Sequence, residues 1–311
     1  MPGNIILTTC SLNHIAQAKS LGDSVIKYAP GYKLVIGLVD KLDGRLPAEY
    51  WSPHSLVEVH ELAIPQFDEM YKRYTTLELN CALKSFFTGY VLEKLKPERF
   101  IFLDSDILLF DAPGFIDEEL DHSSILLTPH ITAALPADDC SPKEKDILKT
   151  GMFNAGFYAL KNDDTANTFV RWWKDRMIDQ CYERPKEGLN VDQKWLNFVP
   201  LYYKNVKVLQ HPGCNAAYWN LHERHIEKKG DNFFVNNMPL IFFHFSGYSF
   251  HQPGKISRHQ TRFDMNSNKA LKELFAIYHQ ALTANKHKEM LAFSCFYKKE
   301  KGFLQKLGLK Q

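Results

Sequence analysis

Cysteine is sparse in this 311-residue chain: six residues, at 10, 81, 140, 181, 214 and 295, with no C-x-x-C pair. Disulfide scaffolds are small and cysteine-dense, and structural zinc sites use closely spaced pairs, so neither applies and the thiols read as packing residues. Long apolar runs are also missing, and nothing approaches the roughly 20 residues that span a bilayer. The start, Met1-Pro2-Gly3-Asn4, carries no basic region before the short apolar Ile5-Ile6-Leu7. No secretory leader is expected, and the expected location is the cytoplasm. An excess of charge of one sign is lacking too, with 38 Lys+Arg against 36 Asp+Glu and a formal net charge of +2. That balance argues against a nucleic-acid partner, whose binding rests on many phosphate-neutralising cations. What is present is 45% hydrophobic and 24% charged residues, the proportions of a chain that buries a full core.

The first half alternates two patterns. Short apolar runs at Asn4–Thr9, Lys33–Val39, Leu56–Val59 and Arg99–Leu103 predict strands. Helical spacing covers Ser11–Tyr28 and Thr75–Leu95, the latter stopped by Pro97. Such alternation predicts an α/β fold with a mostly parallel sheet flanked by helices. Later, Ser124–Leu127, Gly156–Leu160 and Leu240–Phe245 read as strands, and Thr165–Ile178 and Asn268–Thr283 as helices. No linker separates two folded units, so the expectation is one domain over residues 1–265 with a C-terminal helix and basic tail over 266–311.

The sharpest local feature is Phe100-Ile101-Phe102-Leu103-Asp104-Ser105-Asp106-Ile107-Leu108-Leu109-Phe110. Two carboxylates interrupt an apolar run where a buried strand should end. Residues two apart on an extended chain point the same way, so Asp104 and Asp106 can converge. Converging like charges need something positive between them, and a divalent cation, Mn²⁺ or Mg²⁺, suits carboxylate and phosphate oxygens. The position also fits, because ligands of open α/β sheets bind beyond the carboxyl ends of the strands. The plainer reading is a pair of turn-capping aspartates. An EF-hand is excluded, since its closing glutamate would fall at Phe115.

Three further segments carry candidate chemistry. In Met152-Phe153-Asn154-Ala155-Gly156-Phe157, Asn154 can offer an amide to a sugar hydroxyl while Ala155 and Gly156 let a ligand approach the backbone. An ordinary turn before a strand fits equally well. In Gly188-Leu189-Asn190-Val191-Asp192-Gln193-Lys194-Trp195, Asn190 and Gln193 match a variant capping box, with Asp192 inside the first turn and able to face a pocket. His244, in Ile241-Phe242-Phe243-His244-Phe245-Ser246-Gly247-Tyr248, is either a core histidine or a third ligand to the aspartate pair. Gly247 permits the sharp turn of a phosphate-facing loop. His222-Glu223-Arg224-His225 is not a zinc-protease motif, because its histidines are three apart rather than four.

Taken in order, LDSDILLF (103–110), FNAGFYALK (153–161), VDQKWLN (191–197) and FHFSGYSF (243–250) resemble bacterial sugar-nucleotide transferases similar to glycosyltransferase family 8. The resemblance covers residues 4 to 265. The stretches Arg73-Tyr74-Thr75-Thr76-Leu77-Glu78 and Asn215-Ala216-Ala217-Tyr218-Trp219-Asn220-Leu221-His222-Glu223-Arg224 look like a bacterial subgroup of such transferases. The resemblance implies a GT-A fold, with a Rossmann-like nucleotide-binding sheet and a D-x-D metal motif. It implies that Asp104, Asp106 and His244 hold Mn²⁺ or Mg²⁺, and that Asn154, Ala155 and Gly156 contact the donor sugar. Asp192 and Gln193 match the D-Q pair near the anomeric carbon, which with Asn154 makes them the catalytic candidates. Thr8, Thr9, Cys10 and Asp40 would flank uracil and ribose, and Arg73, Lys84, Ser105 and Gly247 complete the donor set. The family places a lysine and an aromatic shortly after H-F-x-G. Here Tyr248-Ser249-Phe250-His251 stands there, with Lys255 as a more distant substitute.

The implied activity is a metal-dependent, retaining transfer of sugar from a nucleotide-sugar, expected to be a UDP-sugar, to a glycan or lipid-linked acceptor in surface polysaccharide or glycoconjugate synthesis. One alternative is a non-catalytic sugar-nucleotide-binding protein on the same fold. A nucleotidyltransferase is the other, but Leu7-Thr8-Thr9-Cys10-Ser11-Leu12 lacks the glycine-rich phosphate loop it would need. Finally, residues 286–311 carry seven lysines and two glutamates, a net +5 that leaves −3 for residues 1–285. Phe293, Phe296, Tyr297, Phe303, Leu304 and Leu307 are interleaved with these lysines. Such a tail suits either peripheral contact with an anionic membrane or a helix packing its aromatics on the body.

Overall fold

Alternating side chains of the central strands divide the core in two. In β1 (Asn4–Cys10), Ile5 and Leu7 point into one apolar cluster and Ile6 and Cys10 into the other. Later in the chain, Phe100 and Phe102 go one way and Ile101 and Leu103 the other. Both faces are thus covered, which is why these segments read as unbroken apolar runs. The computed structural model describes residues 3–298.

The strands β2 (Tyr32–Leu38), β3 (Ser55–Glu58), β4 (Arg99–Leu103), β5 (Ile107–Leu109), β6 (Ile125–Pro129) and β7 (Phe153–Lys161) follow in chain order. The seven-stranded sheet has the order Val206–Val208, β6, β7, β4, β1, β2, β3. Its pairs are parallel except those made by β7, which runs antiparallel to both β4 and β6. The helices are α1 (Ile15–Tyr28), α2 (Phe67–Arg73), α3 (Thr76–Tyr90), α4 (Gly114–His122), α5 (Glu144–Thr150), α6 (Asp164–Met177), α7 (Val199–Tyr202), α8 (Lys269–Ala284) and α9 (His287–Met290). Helix α3 starts at a full capping box: the Thr75 hydroxyl accepts from Glu78 N at 3.3 Å and the Glu78 carboxylate accepts from Thr75 N at 2.8 Å.

Two arrangements position the site. Because β7 is reversed, its first residues lie at the carboxyl end of β4, and Asp104 N donates to the Gly156 carbonyl at 2.9 Å. A small second sheet lines up Ala216–Ala217, Phe242–His244 and β5, with His244 opposite Ile107. Three chain segments far apart in sequence therefore meet at one edge.

The C-terminal part is less of an appendage than its sequence suggests. Leu271, Leu274, Phe275, Tyr278 and Leu282 of α8 join a third apolar cluster with Phe243 and Phe245, and Tyr278 stacks on Phe245 with centroids 3.9 Å apart. Tyr297 is buried against Phe67 and Tyr71, with centroids 4.8 and 5.6 Å away. Phe293 packs beside the α1 face. Phe293 and Tyr297 thus pack on the body, while Phe296 between them is 53% exposed and the chain past Met290 is not helical. Phe303, Leu304 and Leu307, on which the membrane expectation also rested, lie outside the described residues. No helix among the described residues is long and apolar enough to cross a membrane.

Candidate active site

A cavity of about 430 Å³ opens at the carboxyl ends of β4 and β6 and the start of β7, lined among others by Lys84, Asp104, Asp106, Asn154, Asp192 and His244. Asp104 and Asp106 follow β4 across a tight turn, in which Ile107 N donates to the Asp104 carbonyl at 3.1 Å. The turn reading of the pair is therefore partly right for the backbone, while the carboxylates face the cavity. His244 Nε2 lies 3.0 Å from Asp106 Oδ1 and 4.0 Å from Asp104 Oδ2. One ligand atom from each of the three falls within 4.8 Å of the others. The Phe245 N–H donates to the Asp106 carbonyl at 2.9 Å, tying the two ligand-bearing segments together at the backbone.

The residues present fit a divalent cation. His244 Nδ1 lies 3.3 Å from Asn215 Oδ1, an acceptor that suits a proton on Nδ1 and turns Nε2 toward the carboxylates, where a bound cation would replace the proton shared with Asp106. Burial raises the Asp106 carboxyl, but the neighbouring His244, by charge and hydrogen bond, more than offsets this and holds it below its ordinary value. Two carboxylates and one imidazole form a hard-to-borderline donor set suited to Mn²⁺ or Mg²⁺.

Asn215 begins a continuous polar chain. Its amide donates to Thr128 Oγ1 at 2.9 Å and to Asn154 Oδ1 at 3.1 Å. Asn154 Oδ1 also accepts from Gly156 N at 3.1 Å, and Asn154 Nδ2 donates to Gln193 Oε1 at 3.0 Å. Gln193 in turn accepts from Ala155 N at 3.2 Å and donates to the Thr150 carbonyl at 3.0 Å. His130 closes the floor with Nε2 3.4 Å from Asn154 Nδ2. Burial pushes its imidazole down to about 4, so it is neutral and accepts from the amide. Gly156 is glycine for space: a Cβ there would stand 2.4 Å from His244 Cε1 and 2.7 Å from Asn154 Oδ1.

Asp192 corrects the capping-box reading. Asn190 ends a short strand and donates to the Thr150 carbonyl at 3.1 Å, while Asp192 precedes the 3-10 turn Gln193–Phe198 without capping it. Its backbone carbonyl accepts from Trp173 Nε1 at 3.3 Å. Val191 before it is held at φ 43°, and Asn215 at φ 56°. The first is costly for a β-branched residue and implies that packing dictates the turn. Lys84 on α3 bridges the two halves of the site, with Nζ 2.8 Å from Asp104 Oδ1 and 3.4 Å from Asp192 Oδ2. The second contact pairs charge but is misaligned, so Asp192 Oδ2 has no hydrogen-bond partner. Burial opposes the charge on Lys84, but Asp104 and Asp192 together hold it well above its usual value. For Asp192 burial is the larger effect, and despite Lys84 its carboxyl lies above its ordinary value.

Other expected donor residues lie elsewhere. Asp40, expected beside ribose, is enclosed: its carboxylate accepts from Leu12 N, Lys41 N, Arg45 Nη2 and Phe296 N at 3.2, 2.9, 2.7 and 2.9 Å. Three of these bonds fall on Oδ1 and one on Oδ2, and they tie a fully buried carboxylate into the fold. Thr8 and Cys10 are buried within the sheet edge, and Thr9 nearly so. Arg73 donates to the Ile178 carbonyl at 2.9 Å, clamping α2 to the end of α6. Ser105 stands between the two aspartates, half-buried and outside the cavity lining. Lys255 is exposed in a turn outside the cavity. Gly247 takes φ 71°, and a Cβ there would meet His259 Cδ2 at 2.4 Å. Residue-pattern reasoning had no means of assigning His130, Trp219 or Tyr218 to the lining. The stretch beginning at Asn215 carried a signal of subgroup likeness without a role. A larger cleft of about 800 Å³ beside Phe296 and Tyr297 has a mixed lining that includes Lys41, Asp43, Glu58, His60 and Asp68.

No family model matches the chain. Among curated proteins it is 31% identical over 154 residues to the uncharacterized protein YfnF of Bacillus subtilis (strain 168), covering 49% of this chain and 50% of YfnF. It is 28% identical over 250 residues to the uncharacterized protein YfnD of the same strain, covering 78% and 77%. The chain thus spans about half the length of the first relative. Among solved structures, the galactosyltransferase LgtC in complex with donor and acceptor sugar analogs superposes with a TM-score of 0.55 at 15% identity, covering 90% of this chain and 96% of LgtC. An active-site glutamine-to-glutamate mutant of LgtC gives 0.52 at 14% identity, covering 89% and 95%. The bifunctional glycosyltransferase WbbM gives 0.50 at 14%, covering 93% of this chain and 51% of WbbM. The fold defined by these likenesses is the mixed α/β GT-A fold, as the resemblance in the sequence implied.

Proposed function

We propose that the protein is a divalent-cation-dependent glycosyltransferase that takes a sugar from a nucleotide-sugar, expected to be a UDP-sugar, and passes it to a glycan or lipid-linked acceptor with retention. The observation that carries this reading is the meeting, in one cavity, of the Asp104/Asp106/His244 cluster with Asn154–Gly156 and Asp192–Gln193. The GT-A fold shared with LgtC, a transferase solved with donor and acceptor sugar analogs, supports it.

Asp104, Asp106 and His244 would hold the cation, which when bound supplies Lewis-acid stabilisation of the leaving diphosphate. Asn154, its amide held by Gln193, Asn215 and His130, fixes the backbone against which the sugar would seat. The exposed backbone at Ala155 and Gly156 permits close seating. Asp192, under-bonded on Oδ2 and held by the Trp173 indole, is the group that stabilises positive charge at the anomeric carbon or attacks it transiently. Lys84 pairs with both Asp104 and Asp192 and offsets the negative charge gathered there.

The test is incubation of purified protein with a panel of UDP- and GDP-sugars plus Mn²⁺, read as released nucleoside diphosphate by mass spectrometry. Metal-dependent release from one donor supports the reading. Donor binding without release favours a sugar-nucleotide-binding protein instead.

A further inference from the structure

Four of the twelve large apolar side chains left exposed among the described residues lie in two segments tied together beside the cavity. Leu201 is 79% exposed, Tyr202 56%, Met152 46% and Phe198 40%. Met152 N donates to Asn197 Oδ1 at 2.9 Å, and Phe198 stacks on Tyr202 with centroids 5.3 Å apart. Trp172 sits edge-on to Tyr202 at 5.6 Å and to Trp195 at 6.2 Å, so the surface is one continuous aromatic raft. Packing inside the fold does not account for it, because these side chains face outward while Leu196 and Val199 between them fill the core.

The charges around the raft identify what would cover it. Residues 193–207 include Lys194, Lys204 and Lys207 and no aspartate or glutamate. Only Lys207 of these has an ion-pair partner among the described residues, Glu119 at 3.5 Å. Lysine is depleted at the cores of protein interfaces. Aromatics with polar tips, an exposed leucine and flanking lysines instead match the headgroup layer of an anionic bilayer. The raft is joined to the cavity by short connections: Gln193 lines the cavity and begins the turn that ends at Phe198, and Met152 follows the lining residue Thr150 by two positions.

We propose that the surface formed by Met152, Phe198, Leu201 and Tyr202 seats this protein on an anionic lipid bilayer, with the cavity mouth beside the headgroups. The proposal stands on surface chemistry and not on the transfer reaction, so each can fail alone.

Co-sedimentation of the full chain with vesicles tests it, comparing phosphatidylcholine alone with phosphatidylcholine containing phosphatidylglycerol. The expected result is preferential binding to the anionic vesicles. Leu201→Asp with Tyr202→Asp should weaken it about tenfold or more, and Lys194→Gln with Lys204→Gln by about tenfold. Circular dichroism checks that the variants fold, and the milder Leu201→Ser serves if the double variant does not. Binding unchanged by both double variants, or no binding to either vesicle, overturns the proposal. A concentration-dependent dimer that the Leu201/Tyr202 variant abolishes overturns it in favour of a second copy.

Discussion

Asp40 and Asp192 are 0% and 1% exposed, two buried carboxylates with different surroundings. Around Asp40, three backbone N–H groups and one guanidinium converge, so the buried charge is fully compensated. Around Asp192 there is a single cation at 3.4 Å, and one oxygen has no hydrogen bond. Buried carboxylates are normally satisfied, and one that is not points to a ligand or a reaction. The first aspartate ties loops together; the second, to which we assign the proposed chemistry, follows a turn that holds Val191 at an unfavourable φ.

The sharpest way to extend the contrast is at the cluster that shares Lys84 with Asp192. Asp106→Ala should lower nucleoside diphosphate release by about 10³-fold, with the unfolding midpoint little changed; an active, metal-independent variant would sink the central reading. Asp40→Ala tests the other corner. It leaves three backbone donors and Arg45 without their acceptor, and urea unfolding should show a loss of about 3 kcal/mol. A loss near zero would mean that the four contacts do not act as an anchor.

Asp192→Asn should reverse that pattern, lowering kcat by about 10²-fold while leaving stability at pH 7 unchanged or higher. The sign follows from linkage. A carboxyl raised in the folded state binds protons there more readily than when unfolded, so stability falls as pH rises from the unfolded carboxylate range through the folded value. The variant's advantage should therefore grow over that interval and vanish below it, as urea titrations across acidic pH would show. The smallest effect belongs to Asn215→Ala, expected to weaken Mn²⁺ binding by about tenfold in calorimetry by freeing the His244 ring.

Much of this was legible before any coordinates. Short apolar runs and helical spacing located β1, β2, β4, α1, α3, α6 and α8 to within a few residues, because their buried faces leave a direct imprint on residue order. The carboxylates of Asp104 and Asp106 stood out for the same reason, as charges inside an apolar run. What the order of residues does not carry is which distant group fills a given valence. Asp40 receives a donor from Phe296, 256 positions away, one of four bonds that tie it into the fold. His130 and Asn215 reach the floor through sheet register, which no local pattern encodes. The reversed direction of β7 was likewise invisible, since parallel and antiparallel buried strands look alike in composition.

The ladder between β5 and Phe242–His244 has a bearing on engineering. Opposed at Ile107, His244 owes its orientation to a pairing in which a shift of one residue turns every side chain to the opposite face. A single insertion in either strand would aim the imidazole away from the aspartates while leaving all three residue types in the chain. Anyone grafting this centre onto another scaffold would have to move the paired ribbon as a unit, because copying three side chains would carry over the composition of the site without its direction.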